Sequence, residues 1–532
     1  MIRKNLRWVA ATLLAANLAT LTPGPVFANS TGGGTTTPIK HVVVIFQENV
    51  SFDHYFATYP NATNPSEEIP FKAKSNTPTV NGLTQGLLEH NLNEDKSAFV
   101  YQPVRLDPSQ NYTCDQNHDY TPEQQAFDSG LMDKFPEFTA SPCSASPYSD
   151  VSGLGAGIVM GYYDGNTVTG LWNYAQNFVL NDNFYDTNFG PSTPGAINVI
   201  SGMTGNVDLT VSATAVTEGD VVGTSLIGDA DPAYDDCSGS ERAGFPTSNQ
   251  NVGTLLGAKG LSWAWFQGGF TPSSPFVPQN GNVAAIPAVC ATKTNRIDGT
   301  PETAYSPHHN PFQYYALTSN PHHLPPASLA EVGHDGPANH LYDLSYFQKA
   351  VLKHGLPAVT YLKANRAQDG HPNNSSPLDE QVFLANTINF LQSLPEWEST
   401  AVIITWDDSD GWYDHVMPPI VNQSTSTADA LTAPGACGNG SGALAGEQAR
   451  CGYGPRLPLL VISPYAKKNF VDHTLTDQSS VVRFIEENWE LPQIDGSFDG
   501  VAGSIENAFD FKKLRTDTVI LNPSTGQIVS AP

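Results

Sequence analysis

Two short apolar segments, far apart in the chain, end in the same kind of chemistry, and that pairing constrains the fold more than any other feature. The first, His41-Val42-Val43-Val44-Ile45-Phe46, runs into Gln47-Glu48-Asn49. The second, Ala401-Val402-Ile403-Ile404-Thr405-Trp406, runs into Asp407-Asp408-Ser409-Asp410-Gly411. Each is rich in β-branched residues, apolar on both faces and short, which is the pattern of a strand buried within a sheet. Residues 457–462 read the same way, and 358–362 are a further candidate. Apolar residues at helical spacing occupy 340–354, 379–394 and 478–489. Alternating strands and helices imply an α/β fold with a mostly parallel central sheet covered by helices on both faces.

In such sheets, ligands bind beyond the carboxyl ends of the strands. The two segments therefore deliver Glu48, Asn49, Asp407 and Asp408 to one rim. Three carboxylates gathered there repel one another unless a cation neutralises them. An oxygen-rich set of this kind suits one hard divalent ion of the Mg²⁺, Ca²⁺ or Mn²⁺ type. Taken singly, each acid could as well cap a helix or line a turn. Their placement after two separate strands favours the metal.

A second element is Asn188-Phe189-Gly190-Pro191-Ser192-Thr193-Pro194-Gly195-Ala196-Ile197. Gly-Pro makes a tight turn, and the run from Ala196 reads as helical. Ser192 then sits at or near a helix N-terminus, where amides and dipole favour an anion such as a phosphoryl group. On spacing alone, a plain N-cap at Ser192 or Thr193 is the favoured reading. Several of the 14 histidines lie in polar loops flanked by Gly or Pro: His118, His308, His309, His340 and His371. Beside a metal rim, such histidines serve as donors to phosphate oxygens or as leaving-group acids. The pair His322-His323 has no such context and reads as structural.

The N-terminus is expected to be a secretory signal peptide over residues 1–28. Arg3, Lys4 and Arg7 precede an apolar stretch, and Val26-Phe27-Ala28 offers a cleavage site. No later stretch is long and apolar enough for a membrane span. Three of the 25 basic residues fall in that leader, so the remainder carries 22 basic against 52 acidic residues, a formal charge of −30. So acidic a chain lacks the basic footprint that nucleic-acid binding needs. The six cysteines favour disulfides in an exported protein, with 114–143, 237–290 and 437–451 as the sequence-local pairing. Residues 29–532 are expected to form a single catalytic domain, with insertions at about 67–150 and 212–307, and a short strand or extended arm after Asp510.

Glu48-Asn49-Val50-Ser51-Phe52-Asp53-His54-Tyr55-Phe56 resembles the ENRSFDHYF signature of bacterial phospholipases C and related acid phosphatases, departing only at Val50, where Arg is usual. Trp406-Asp407-Asp408-Ser409-Asp410-Gly411-Trp412-Tyr413-Asp414-His415-Val416 resembles that family's second signature. The resemblance covers about residues 39–490. It implies an alkaline phosphatase-like fold and metal ligands at Glu48, Asn49, Asp407 and Asp408, with Ser192 as nucleophile and further ligand. It also implies a phosphate pocket lined by Asn49, His118, His308, His309 and His371. Pro194-Gly195-Ala196, where the phospholipase C branch has Pro-Asn-Arg, looks like the acid phosphatase branch. So does Pro307-His308-His309-Asn310-Pro311-Phe312.

The expected activity is hydrolysis of phosphate monoesters through a phosphoserine, in the periplasm or medium. His371 is the first candidate for the leaving-group acid and His308 the second. The alternative is a phospholipase C acting on phosphatidylcholine-type diesters, so the partners are small phosphate esters or phospholipid head groups. A non-catalytic, cation-stabilised binding protein is a third reading; it leaves the histidines unexplained.

Overall fold

A computed structural model describes residues 34–530, apart from residue 282 and the segments 432–436 and 438–448. The leader expected over residues 1–28 lies outside the described residues. At the centre is a nine-stranded sheet: β1 (His41–Gln47), β2 (Val179–Tyr185), β3 (Trp263–Gln267), β4 (Leu341–Asp343), β5 (Val359–Lys363), β6 (Thr400–Trp406), β7 (Arg456–Ile462), β8 (Phe470–Asp472) and β9 (Thr476–Asp477). The order is β4-β3-β5-β1-β6-β7-β2-β8, with β9 also pairing with β2.

The expected strands form because their side chains find cover on both faces. Every residue of β5, β6 and β7 is buried, and β1 is buried from Val42 onward. The strands from β4 to β6 pair in parallel, as do β8 and β9 with β2. β7 runs antiparallel to both β6 and β2.

Two expectations need correction. The stretch 212–307, read as an insertion, supplies helix Val252–Ala258 and the inner strand β3. Its Trp263-Ala264-Trp265-Phe266 core is bulky and aromatic, so the usual Val/Ile signature of a buried strand is missing. Residues 340–354 do not form one helix. Leu341–Asp343 pairs with β3 at the sheet edge, and the helix proper is Phe347–His354. The other helices fall as read, at Pro377–Gln392 and Ser479–Trp489. The first has Ser376 in a capping box with Asp379 and Pro at its first position, both strong start signals.

Cystines link Cys114–Cys143, Cys237–Cys290 and Cys437–Cys451. The tail ends in a two-stranded ribbon, Ile520–Leu521 against Ile528–Ser530. Among the described residues no helix is long and apolar enough to cross a membrane.

Candidate active site

Three adjacent parallel strands, β5, β1 and β6, end together. Phe46 is level with Lys363 on one side and Thr405 on the other, and Gln47 is level with Trp406. The chain leaving β1 turns at Asn49, which adopts a left-handed φ of 60°. That turn lets the Asn49 amide donate to Asp407 Oδ1 at 2.8 Å, and the Asp408 amide donates to the same oxygen at 2.8 Å. The Asn49 side-chain nitrogen donates to Asp410 Oδ1 at 3.1 Å. Asn49 Oδ1, Asp407 Oδ2 and Glu48 Oε2 remain buried with no hydrogen-bond donor.

Glu48, Asp407 and Asp408 are all fully buried. Burial pushes the Glu48 carboxyl up to about 7, although the Lys363 ammonium opposes it. Burial and the neighbouring Glu48 drive Asp407 well above the carboxylate range. Burial and Asp407 push Asp408 up to about 7 against the pull of His118. Crowded acids with unpaired oxygens cannot all ionise without a counter-charge. The set of carboxylate and amide oxygens fits a hard divalent cation.

Ser192 meets this rim from the other side. It is the first residue of helix Ser192–Ser201, whose N-cap is Pro191, and its side chain does not cap the helix. Instead Ser192 Oγ donates to Asp408 Oδ2 at 3.0 Å. Gly195 makes that approach possible: a Cβ on it would lie 1.9 Å from the Asp407 carbonyl oxygen. The helix carrying Ser192 is thus pressed against the acidic turn.

The histidines divide. His118 Nε2 lies 3.8 Å from Asp408 Oδ2, the oxygen that accepts from Ser192. Its Nδ1 faces the Gln116 carbonyl at 2.8 Å. Burial alone would lower its pKa, but Asp408 and Asp410 raise it well above the ordinary value. His309 Nδ1 is 2.8 Å from Glu48 Oε1. Burial, with His308 and Lys363 nearby, pushes its pKa well below the ordinary value. His371 lies beside it, with ring centres 6.2 Å apart, and His371 Nδ1 is 2.5 Å from the Pro372 carbonyl. His308 packs edge-on to His309 and places Nδ1 3.3 Å from Asp231 Oδ1.

His340, in contrast, stacks on Trp263 and bonds its carbonyl. His323 is sealed against Asp235 at 2.7 Å, and His322 pairs with Asp236 at 2.9 Å. These three are structural.

Four buried charged groups at the site escaped sequence reading. Lys363 contacts Glu48, and Asp369 lies 3.8 Å from the Lys363 nitrogen. Glu123, from helix Tyr120–Ala126, accepts from Ser409 Oγ at 2.7 Å and from the Gly190 amide at 3.3 Å. It thereby ties the serine turn to the acidic turn; burial pushes its carboxyl up to about 8. Asp186 accepts from Gln478, which also donates to the Asp407 carbonyl at 2.5 Å. The only signal for Lys363 was a lone cation closing an otherwise apolar strand.

The model of the family described as "Phosphoesterase family" matches residues 39–492. The chain belongs to that phosphoesterase family. Among its curated relatives, this family member is 24% identical to a non-hemolytic phospholipase C of Pseudomonas aeruginosa, over 93% of this chain and 60% of the relative. It is 25% identical to phospholipase C A of Mycobacterium tuberculosis, over 92% of this chain and 81% of that one. The phosphoesterase thus spans about 60% of the length of the first relative and of a second non-hemolytic phospholipase C, from Burkholderia pseudomallei. A solved Vibrio parahaemolyticus structure in the alkaline phosphatase superfamily overlaps 60% of this chain and 59% of its own, at 10% identity and a TM-score of 0.29. That overlap is too partial to argue from.

Proposed function

We propose that this chain is a metal-dependent phosphoesterase that hydrolyses phosphate monoesters through a phosphoserine at Ser192. The observation that carries the reading is the contact between Ser192 Oγ and Asp408 Oδ2 at a helix N-terminus, beside buried oxygens that lack donors. Glu48, Asn49, Ser192, Asp407 and Asp408 would hold one divalent cation. When bound, that cation supplies charge that lowers the serine pKa and polarises a phosphoryl oxygen. Asn49 enters the set through Oδ1, since its nitrogen is engaged by Asp410.

Ser192 Oγ passes its proton to Asp408 Oδ2, its hydrogen-bond acceptor, and attacks phosphorus in line, breaking the ester P–O bond and forming an Oγ–P bond. His118 and His309 face the phosphoryl oxygens as charge builds on them. A histidine gives its proton to the departing alkoxide. Asp231 raises the pKa of His308 against the effect of burial, which suits His308 to that role; His371 is the other candidate. Water then cleaves the phosphoserine.

The phospholipase C reading stands close beside this one, because the curated relatives carry that name. The machinery is shared, and the choice lies in what the pocket accepts beyond the phosphorus. Purified protein would be assayed on p-nitrophenyl phosphate and on p-nitrophenylphosphorylcholine. The monoesterase reading expects higher kcat/KM on the first; the reverse order replaces it with the phospholipase C reading. Export is part of the proposal, supported by three cystines and the leader-like N-terminal sequence.

A further inference from the structure

Glu48, His309 and Asp369 come from three separate segments, yet their ligand-type atoms lie within 4.8 Å of one another. All three side chains are buried. By donor type they outline a second cation position, next to the one formed by Glu48, Asn49, Asp407 and Asp408 and sharing Glu48 with it. That position already contains a positive charge. Lys363 Nζ is in contact with Glu48 Oε1 and lies 3.8 Å from Asp369 Oδ2. His309 Nδ1 approaches the same glutamate oxygen at 2.8 Å and Asp369 Oδ2 at 4.0 Å.

The sheet fixes this arrangement. Lys363 is the last residue of β5 and is level with Phe46, two residues before Glu48 in the adjoining strand. Its side chain is fully buried, as is that of Glu48. A buried ammonium persists only where carboxylates compensate it, and here the compensating groups are the same ones a second metal ion would need. An ammonium against Glu48 Oε1 and a metal ion on that oxygen exclude each other sterically, and they repel.

We propose that Lys363 is a built-in cation that fills the second cation position and limits the centre to one divalent ion. The inference rests on the metal reading given under Proposed function. It makes Lys363 a positioning residue, which holds Glu48 by charge at Oε1 and leaves Oε2, which has no donor, as the oxygen that would serve the metal.

The test is Mn²⁺ stoichiometry by equilibrium dialysis, with electron paramagnetic resonance to separate isolated from coupled ions. The intact chain is expected to hold one Mn²⁺ with the signal of an isolated ion. Lys363→Ala, which removes the charge and opens space, is expected to hold two with a coupled signal. Lys363→Met keeps the bulk without the charge and is expected to hold one ion, with Kd lowered by about tenfold as the repulsion is lost. Two ions in the intact chain would overturn the inference whether or not any variant folds. So would a folded Lys363→Ala chain that still holds one. No Mn²⁺ in the intact chain would overturn the metal reading itself, and this inference with it.

Discussion

Ser192 and Asp408, from opposite sides of the site, meet through a hydrogen bond of 3.0 Å from Oγ to Oδ2. The bond leaves the helix cap unused and points the hydroxyl at the acidic rim. Ser192→Ala should therefore cost at least about a thousandfold in kcat, since no other group supplies the nucleophile. Circular dichroism should show the fold retained. Turnover within tenfold of the parent would remove Ser192 from the mechanism.

The proton donor can be assigned by leaving-group dependence. General acid catalysis matters most when the leaving alkoxide is basic. His308→Gln should lose about a hundredfold on an alkyl phosphate and less than about tenfold on p-nitrophenyl phosphate. His371→Gln should lower both rates by a similar factor. If the two patterns are exchanged, the donor is His371.

Gly195 is needed for close approach. An added methyl meets the Asp407 carbonyl backbone at 1.9 Å, and backbone does not yield as a flexible side chain does. Gly195→Ala should destabilise by at least about 1–3 kcal/mol, as overpacking does. It should also loosen metal binding by displacing Asp407. Thermal unfolding with and without added Mn²⁺ measures both effects; an unchanged Tm and metal affinity would refute the close-packing argument.

Stability should depend on pH through Asp235 and His323, a buried pair 2.7 Å apart and separate from the proposed chemistry. Burial alone would raise the Asp235 pKa, but the His323 imidazolium brings it below the ordinary value. Burial alone would lower the His323 pKa, but Asp235 raises it. The aspartate contribution is complete above its unfolded value of about 3.9 and fades as pH falls through the lower folded value. The histidine contribution is complete below about 6.5 and fades as pH rises through the higher folded value. Asp235→Asn should cost about 3–5 kcal/mol between those limits, the effect of breaking a buried pair. The difference in unfolding free energy from the parent should narrow on both sides, which denaturant titrations across pH would measure.

The acidic rim was legible because it follows immediately in sequence from two well-marked strands. Local order carried the information: Glu48-Asn49 and Asp407-Asp408 are strand-end residues. β2 was not marked, because Asn181, Asp182 and Asn183 interrupt its apolar pattern, although all of β2 but Asn183 is buried. Glu123, Asp186 and Asp369 could not be read, since nothing near them in sequence distinguishes a buried acid from a solvated one. Only tertiary packing brings Glu123 to Ser409 and Gly190. Val50, where the related signature has Arg, is buried in the core.

β1 lies between β5 and β6, so the strands that frame the rim are recruited from distant parts of the sequence. A chain that has not yet placed β5 and β6 beside β1 offers only scattered acids, none with a partner across the rim. On the metal reading, capture of the ion would follow closure of the sheet and would not nucleate it. A molecule whose sheet has not closed would then hold no ion, so bound metal would report that β5, β1 and β6 have come together.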